Sequence, residues 1–204
     1  MSSESTVEVL LSHHRLISDQ ISLDQLRAIL AELQKALALN GAVVEFGCYI
    51  GTTSLFIRRL LDAHRDNREF HVYDSFEGLP PKSPSDASGA GEQFQAGELA
   101  VSKKQFIQEF KKAGLRPPII HKGWFSELTP VNIPDKIAFA FLDGDFYESI
   151  HDSLKLVLPR LVPGATIIID DYAREALPGA ARAVHELLPN KQIKTVHNLG
   201  IVKS

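Results

Sequence analysis

Three aspartates stand where two apolar runs stop. Ile137–Leu142 stops at Asp143, within Leu142-Asp143-Gly144-Asp145, and Ala165–Ile169 stops at the pair Asp170-Asp171. Each run is short, apolar and β-prone, the pattern of a strand buried on both faces of a parallel sheet. In open α/β sheets, ligands bind beyond the carboxyl ends of the strands. If the two strands are neighbours, the three carboxylates meet. Like charges so placed raise one another's pKa unless protons or a cation separate them. A hard divalent cation with oxygen ligands, Mg²⁺ or Mn²⁺, is the simplest resolution. Asp143, Asp170 and Asp171 are therefore candidate metal ligands. The bland alternative makes Asp170-Asp171 a loop start that caps the next helix. Asp145 likewise fits the N-terminal end of the following helix, where the dipole favours it.

A second constellation follows the first strand, Ala42–Phe46, which ends in Glu45-Phe46-Gly47-Cys48-Tyr49-Ile50-Gly51. Gly47 permits a tight turn and close approach of a ligand. Gly51 opens a helix whose first residues, Thr52 and Thr53, carry free N–H groups toward the same place. Asp74 closes the next strand, Phe70–Tyr73, where an acidic side chain accepts hydrogen bonds from both ribose hydroxyls. Together these describe a pocket for an adenosine-type ligand. The dinucleotide fingerprint is G-x-G-x-x-G, whereas this chain has G-x-x-x-G led by Glu45. A glutamate is poor company for a diphosphate and good company for an ammonium. S-adenosylmethionine carries an ammonium and a sulfonium and no phosphate, so Glu45 favours it over NAD. Cys48 reads most simply as a small apolar filler of the turn. His121 and His151 read as structural histidines, with a general-base role as the alternative. Trp124, in Lys122-Gly123-Trp124-Phe125, is either packing or an aromatic wall beside an adenine ring.

The elements that position these residues alternate along the chain. Residues 1–20 show no strong period. Ser22 and Gln25 have capping-box spacing, and Leu23, Leu26, Ile29, Leu30, Leu33 and Leu37 continue a helix that Asn40-Gly41 would end in a left-handed cap. Thr52 to Asp62 forms the helix after the glycine turn. Residues 75–101 hold no period, are broken by Pro80, Pro81, Pro84, Gly89, Gly91 and Gly97, and read as a lid loop. Ser102 caps a helix through Ala113, with Gly114 beyond it. Ile119–His121 is a strand. A helix from Glu148 buries Ile150, Leu154, Val157 and Leu158, and Pro163-Gly164 turns the chain into the fifth strand. Ala180, Ala183, Val184, Leu187 and Leu188 mark another helix. Gln192–Val196 and Gly200–Lys203 form a closing hairpin. The expected fold is α/β: one Rossmann-like doubly wound sheet, a single domain over 1–204 with residues 1–41 as an N-terminal helical segment. The sheet is parallel apart from the antiparallel C-terminal hairpin.

Composition bounds the partners. The chain has 204 residues, 44% hydrophobic and 23% charged, with a formal net charge of −3. That is ordinary for a soluble globular domain and offers no field for nucleic acid or an anionic membrane. Lys103, Lys104, Lys111 and Lys112 read as the wet face of a helix. One cysteine excludes an intrachain disulfide. No apolar run reaches the ~20 residues of a membrane span, and the N-terminus lacks a signal peptide's features, so a cytoplasmic location is expected. Oligomeric state is open, a homo-oligomer included.

Five segments carry a family resemblance: Val44-Glu45-Phe46-Gly47 with Gly51; Val72-Tyr73-Asp74-Ser75-Phe76-Glu77-Gly78-Leu79-Pro80; Lys122-Gly123-Trp124-Phe125; Leu142-Asp143-Gly144-Asp145-Phe146-Tyr147-Glu148-Ser149; and Ile169-Asp170-Asp171-Tyr172. Over residues 42–190 the chain resembles the macrocin O-methyltransferases, metal- and S-adenosylmethionine-dependent enzymes that methylate sugar hydroxyls of natural products. The resemblance implies that Glu45, Gly47 and Asp74 hold the cofactor, with Ser75 and Phe76 near the adenosine and Gly123, Trp124 and Phe125 lining the adenine pocket. It implies that Asp143, Asp170 and Asp171 hold magnesium, that Asp143 also acts as base, and that the partner is a small hydroxyl acceptor. The rivals are a glycosyltransferase using Asp143-Gly144-Asp145 as a D-x-D, an NAD-dependent oxidoreductase, and a cofactor-binding module without catalysis.

Overall fold

The apolar runs pair side by side in the computed structural model, which describes residues 5–89 and 94–204. In chain order the elements are α1 (Thr6–His13), α2 (Leu23–Ala36), β1 (Ala42–Phe46), α3 (Thr52–Ala63), β2 (Phe70–Asp74), α4 (Lys103–Lys112), β3 (Ile119–Lys122), β4 (Ile137–Leu142), α5 (Tyr147–Val157), β5 (Leu161–Ile169), α6 (Pro178–Leu187), β6 (Lys194–Val196) and β7 (Leu199–Lys203), with short 3₁₀ turns between some of them. Among the described residues, seven strands form one sheet in the order β3-β2-β1-β4-β5-β7-β6. β1 to β5 pair in parallel, and β7 runs antiparallel to β5 and β6.

Strand periodicity sorts the side chains into two cores. Val43, Phe139, Phe141 and Ile168 face α1 to α4, whose Leu26, Ile29, Leu30, Phe56 and Phe106 cover them. Val44, Phe46, Ala140, Leu142 and Ile169 face α5 and α6, under Ile150, Leu154, Ala183 and Val184. The central strands β1 and β4 are buried at every position, as the uninterrupted apolar runs require.

Three local expectations change, and the closing hairpin forms as expected. Residues 6–13, read as aperiodic, form α1; Ser5 caps it, and Val7, Leu10 and Leu11 are buried. α2 ends at Ala36, before Asn40-Gly41, and the Arg68 guanidinium donates to the carbonyls of Leu37 (2.8 Å) and Gly41 (3.2 Å) beyond it. Gly41 is small for another reason: a Cβ there would lie 2.7 Å from the Ala138 nitrogen. Pro163-Gly164 lies inside β5, at a register shift against β4, rather than ahead of the strand. The closing hairpin turns on His197 and Asn198, both at positive φ (49° and 68°), as a primed two-residue turn needs.

In the 75–101 segment the described residues hold only the 3₁₀ turn Pro84–Asp86. Gly91 and its neighbours 90–93 lie outside the described residues. The flanking stretch is fastened to the start of α5 and to the turn before α6. Asp86 accepts from the Tyr147 N–H at 2.7 Å, and Ser88 donates to the Glu175 carbonyl at 2.9 Å. No helix among the described residues is long and apolar enough to cross a membrane.

Candidate functional site

Register builds the site. The Gly47 N–H donates to the Tyr73 carbonyl (2.9 Å), the Asp143 N–H to Phe46 (2.7 Å), and the Asp170 N–H to Leu142 (2.8 Å). Parallel pairing therefore sets Gly47, Asp74, Asp143 and Asp170 along one rim. A cleft of about 800 Å³, partly open solvent, lies over it.

One half of the cleft is organised around Asp74. The Cys48 N–H donates to its Oδ2 at 2.8 Å and the Phe76 N–H to its Oδ1 at 2.6 Å. Each oxygen keeps a lone pair for a further donor. Gly47, Cys48, Tyr49 and Ser75 line the cleft beside it. At Gly47 (φ 84°) a Cβ would fall 1.8 Å from the Asp143 carbonyl oxygen, so the close approach this glycine allows is to the protein's own backbone. Glu45 sits behind the turn, 1% exposed, and Ser54 Oγ donates to its Oε2 at 2.5 Å. Burial pushes its carboxyl up to about 8; the Ser54 hydrogen bond opposes this and the Asp74 charge adds to it. Burial, with Asp74 and Glu45 nearby, also pushes the Cys48 thiol well up, which keeps it neutral and unfit as a nucleophile.

Trp124 and Phe125 form another wall, Phe125 edge-on to Phe46 with ring centroids 5.3 Å apart. The remaining expected cofactor contacts lie outside the lining. Gly51 (φ 99°) makes room for the Phe106 ring, which a Cβ would approach to 2.8 Å. Thr52 Oγ1 pairs with Ser18 Oγ at 2.8 Å, and Thr53 is buried in the first turn of α3. The Phe76 side chain packs on Phe106, and the Gly123 N–H binds the Asp74 carbonyl. His121 stacks on Tyr73 near the sheet edge and His151 on Tyr147; neither lines the cleft.

The other half is a wall of four carboxylates: Asp143, Asp145, Asp170 and Asp171. Burial first, and then the neighbouring carboxylates, push Asp143 and Asp145 well above the usual range. Burial and the Asp171 charge push Asp170 up to about 7. Asp171 is raised by burial, with Arg174 opposing. Asp145 and Asp171 sit at positive φ, 58° and 52°, a region that aspartate tolerates better than most residues. The reading of Asp145 as a helix-start residue misses its place in the cleft. Phe146 is the N-cap of α5, and the D-x-D spacing was the available signal. Sequence reasoning also missed Gln20, Gln25 and Arg174, and the apolar Leu79, Pro80, Phe94 and Leu99 that the 75–101 segment adds to the lining.

The expected convergence of Asp143, Asp170 and Asp171 is not drawn tight. Among the described residues, no group of three or more His, Cys, Asp or Glu side chains is gathered closely enough to hold a metal ion. Asp170 Oδ1 is held by Gln25 Nε2 (3.1 Å) and the Asp171 N–H (2.9 Å), and Asp171 Oδ1 by Arg174 Nη1 (3.2 Å). The donor chemistry nevertheless fits a hard cation. Four carboxylates share one wall, and Arg174 is the one cation among the described lining residues. A divalent ion would offset the repulsion that, after burial, lifts Asp143, Asp145 and Asp170.

The model of the macrocin-O-methyltransferase (TylF) family matches residues 12–199. The chain is 38% identical over 153 residues to the 8-demethyl-8-(2,3-dimethoxy-alpha-L-rhamnosyl)-tetracenomycin-C 4'-O-methyltransferase of Streptomyces olivaceus, covering 72% of this chain and 57% of that one. It is 35% identical over 155 residues to the mycinamicin III 3''-O-methyltransferase of Micromonospora griseorubida, covering 72% and 59%. It therefore spans somewhat over half the length of these relatives. Among solved structures it is similar to the O-methyltransferase NovP, with a TM-score of 0.77 and 26% identity over 90% of this chain and 80% of that one.

Proposed function

The chain belongs to the macrocin-O-methyltransferase family, and on that premise we propose that it moves the methyl group of S-adenosylmethionine to a hydroxyl of a small-molecule acceptor, a sugar or polyol of a natural product. The observation that carries the reading is the carboxylate wall set beside the Asp74 half in one cleft. The names of the two relatives, which specify O-methylation and in one case a rhamnosyl-bearing compound, support the acceptor class.

Asp74 accepts the ribose hydroxyls, its carboxylate already aimed by the Cys48 and Phe76 amides. Glu45 supplies the negative charge for the amino-acid ammonium, and that ammonium favours the ionised carboxylate that burial disfavours. Trp124 and Phe125 flank the adenine. A sulfonium methyl is already activated, so the protein's task is alignment and readying the acceptor oxygen. Asp143, Asp170 and Asp171 would hold Mg²⁺ or Mn²⁺, which when bound lowers the pKa of an acceptor hydroxyl. Asp143 takes the hydroxyl proton. Asp145, in the same wall, is the second candidate for that proton. Leu79, Pro80, Phe94 and Leu99 cover the acceptor side and exclude water.

Calorimetry tests the reading. S-adenosylhomocysteine is expected to bind and UDP to give no heat. Binding of UDP alone would move the site to the glycosyltransferase class. Binding of S-adenosylhomocysteine without methyl transfer to any of a panel of sugars and polyols would leave a non-catalytic module.

A further inference from the structure

We propose that Gln25, in the first turn of α2, is a positioning residue that fixes the Asp170 carboxylate, so that the N-terminal helix serves the carboxylate wall. The inference rests on the reading of Asp170 as a cation ligand.

The capping box of α2 decides which way the Gln25 amide points. Its Oε1 accepts from the Ser22 N–H (3.0 Å) and Ser22 Oγ (2.8 Å), while its own N–H donates to Ser22 Oγ (3.2 Å). With the carbonyl end held by Ser22, the Nε2 end is the one offered to Asp170 Oδ1, at 3.1 Å. That oxygen also accepts from the Asp171 N–H at 2.9 Å. Two donors fill the lone pairs of Oδ1 and leave Oδ2 for a ligand. Carboxylates that bind metals are commonly fixed by such outer hydrogen bonds, and loss of one typically costs about 10–100-fold in metal affinity. Gln25 is itself held rigidly. The residues that follow it in α2, Leu26, Ile29, Leu30 and Leu33, are fully buried. Ahead of the helix, Ser18 is tied to Thr52 and Gln20 lines the cleft. The segment before β1 is thus a third wall of the site.

Two variants separate positioning from helix capping. Ser22→Ala removes the hydroxyl half of the cap and keeps the glutamine; Gln25→Met removes the side-chain half of the capping box and the donor to Asp170, while the residue-25 backbone N–H keeps its bond to Ser22 Oγ. Both are expected to lower the melting temperature by a few degrees, the usual effect of a lost N-cap. Mg²⁺ is then titrated calorimetrically into protein saturated with S-adenosylhomocysteine. Gln25→Met is expected to weaken Mg²⁺ about 10–100-fold, and Ser22→Ala less than about threefold, with S-adenosylhomocysteine affinity unchanged in both. Wild-type Mg²⁺ affinity in Gln25→Met, or an equal loss in Ser22→Ala, overturns the positioning role alone. No Mg²⁺ uptake by the wild type overturns the cation reading, and this inference with it.

Discussion

The two halves of the cleft hold their central carboxylates differently. Around Asp74 and Glu45, each acid has donors: two backbone amides for the first and Ser54 for the second. Asp143 and Asp145 are driven up by burial and then by several other carboxylates, whereas Glu45 is driven up chiefly by burial. The first half has its acids already hydrogen-bonded within the protein. The second carries excess negative charge, which suits it to a cation and to taking a proton. The contrast explains how one rim of strand ends could serve both cofactor and chemistry.

The strongest break in that comparison is Asp143→Ala. Methyl transfer is expected to fall by roughly 10²–10⁴-fold, the range for losing a general base, while S-adenosylhomocysteine binding stays within a few-fold. Asp74→Asn should do the reverse. It is expected to weaken S-adenosylhomocysteine about 10–100-fold by calorimetry, the cost of a hydrogen bond to a charged group, and to leave Mg²⁺ binding intact.

Glu45→Gln sharpens the comparison through stability. Glu45 ionises near 8 when folded and near ~4.3 when unfolded. Its raised pKa favours folding fully below the unfolded value, and that contribution is lost as pH rises toward 8. In cofactor-free protein, the variant should melt at least about 5 °C higher than wild type at pH 8.5 and within about 2 °C at pH 4.5. Equal melting at both values would mean that Glu45 is not held protonated. The smallest expected effect is at the opposite end of the sheet. There Arg160 pairs with the exposed Asp135, and Arg160→Ala should cost about 1 kcal/mol or less by thermal melting, without changing binding in either half.

Legibility in the sequence follows the same division. β1 and β4 could be read to the residue because burial on both faces leaves an uninterrupted apolar run. Asp74, Asp143 and Asp170 were legible because each ends such a run. α1 was not: eight residues with three buried side chains give little more than two turns of period. Gly51, Thr52 and Phe76 follow the motif into the fold yet serve packing against α4 and the N-terminal segment. Gln25 shows the limit best. Its capping role is local and readable, whereas its bond to Asp170 spans 145 positions and leaves no trace in periodicity or spacing. Gln20, which also lines the cleft, is of this kind, whereas the broken period of the 75–101 segment was legible as a loop and only its lining residues were not.

A Mg²⁺ titration of S-adenosylhomocysteine-saturated wild type, set against Asp143→Ala and Asp74→Asn, tests the division most directly. The prediction is one Mg²⁺ site in the wild type, lost in Asp143→Ala and retained in Asp74→Asn at saturating ligand. Undiminished Mg²⁺ binding by Asp143→Ala, or none by the wild type, would contradict it.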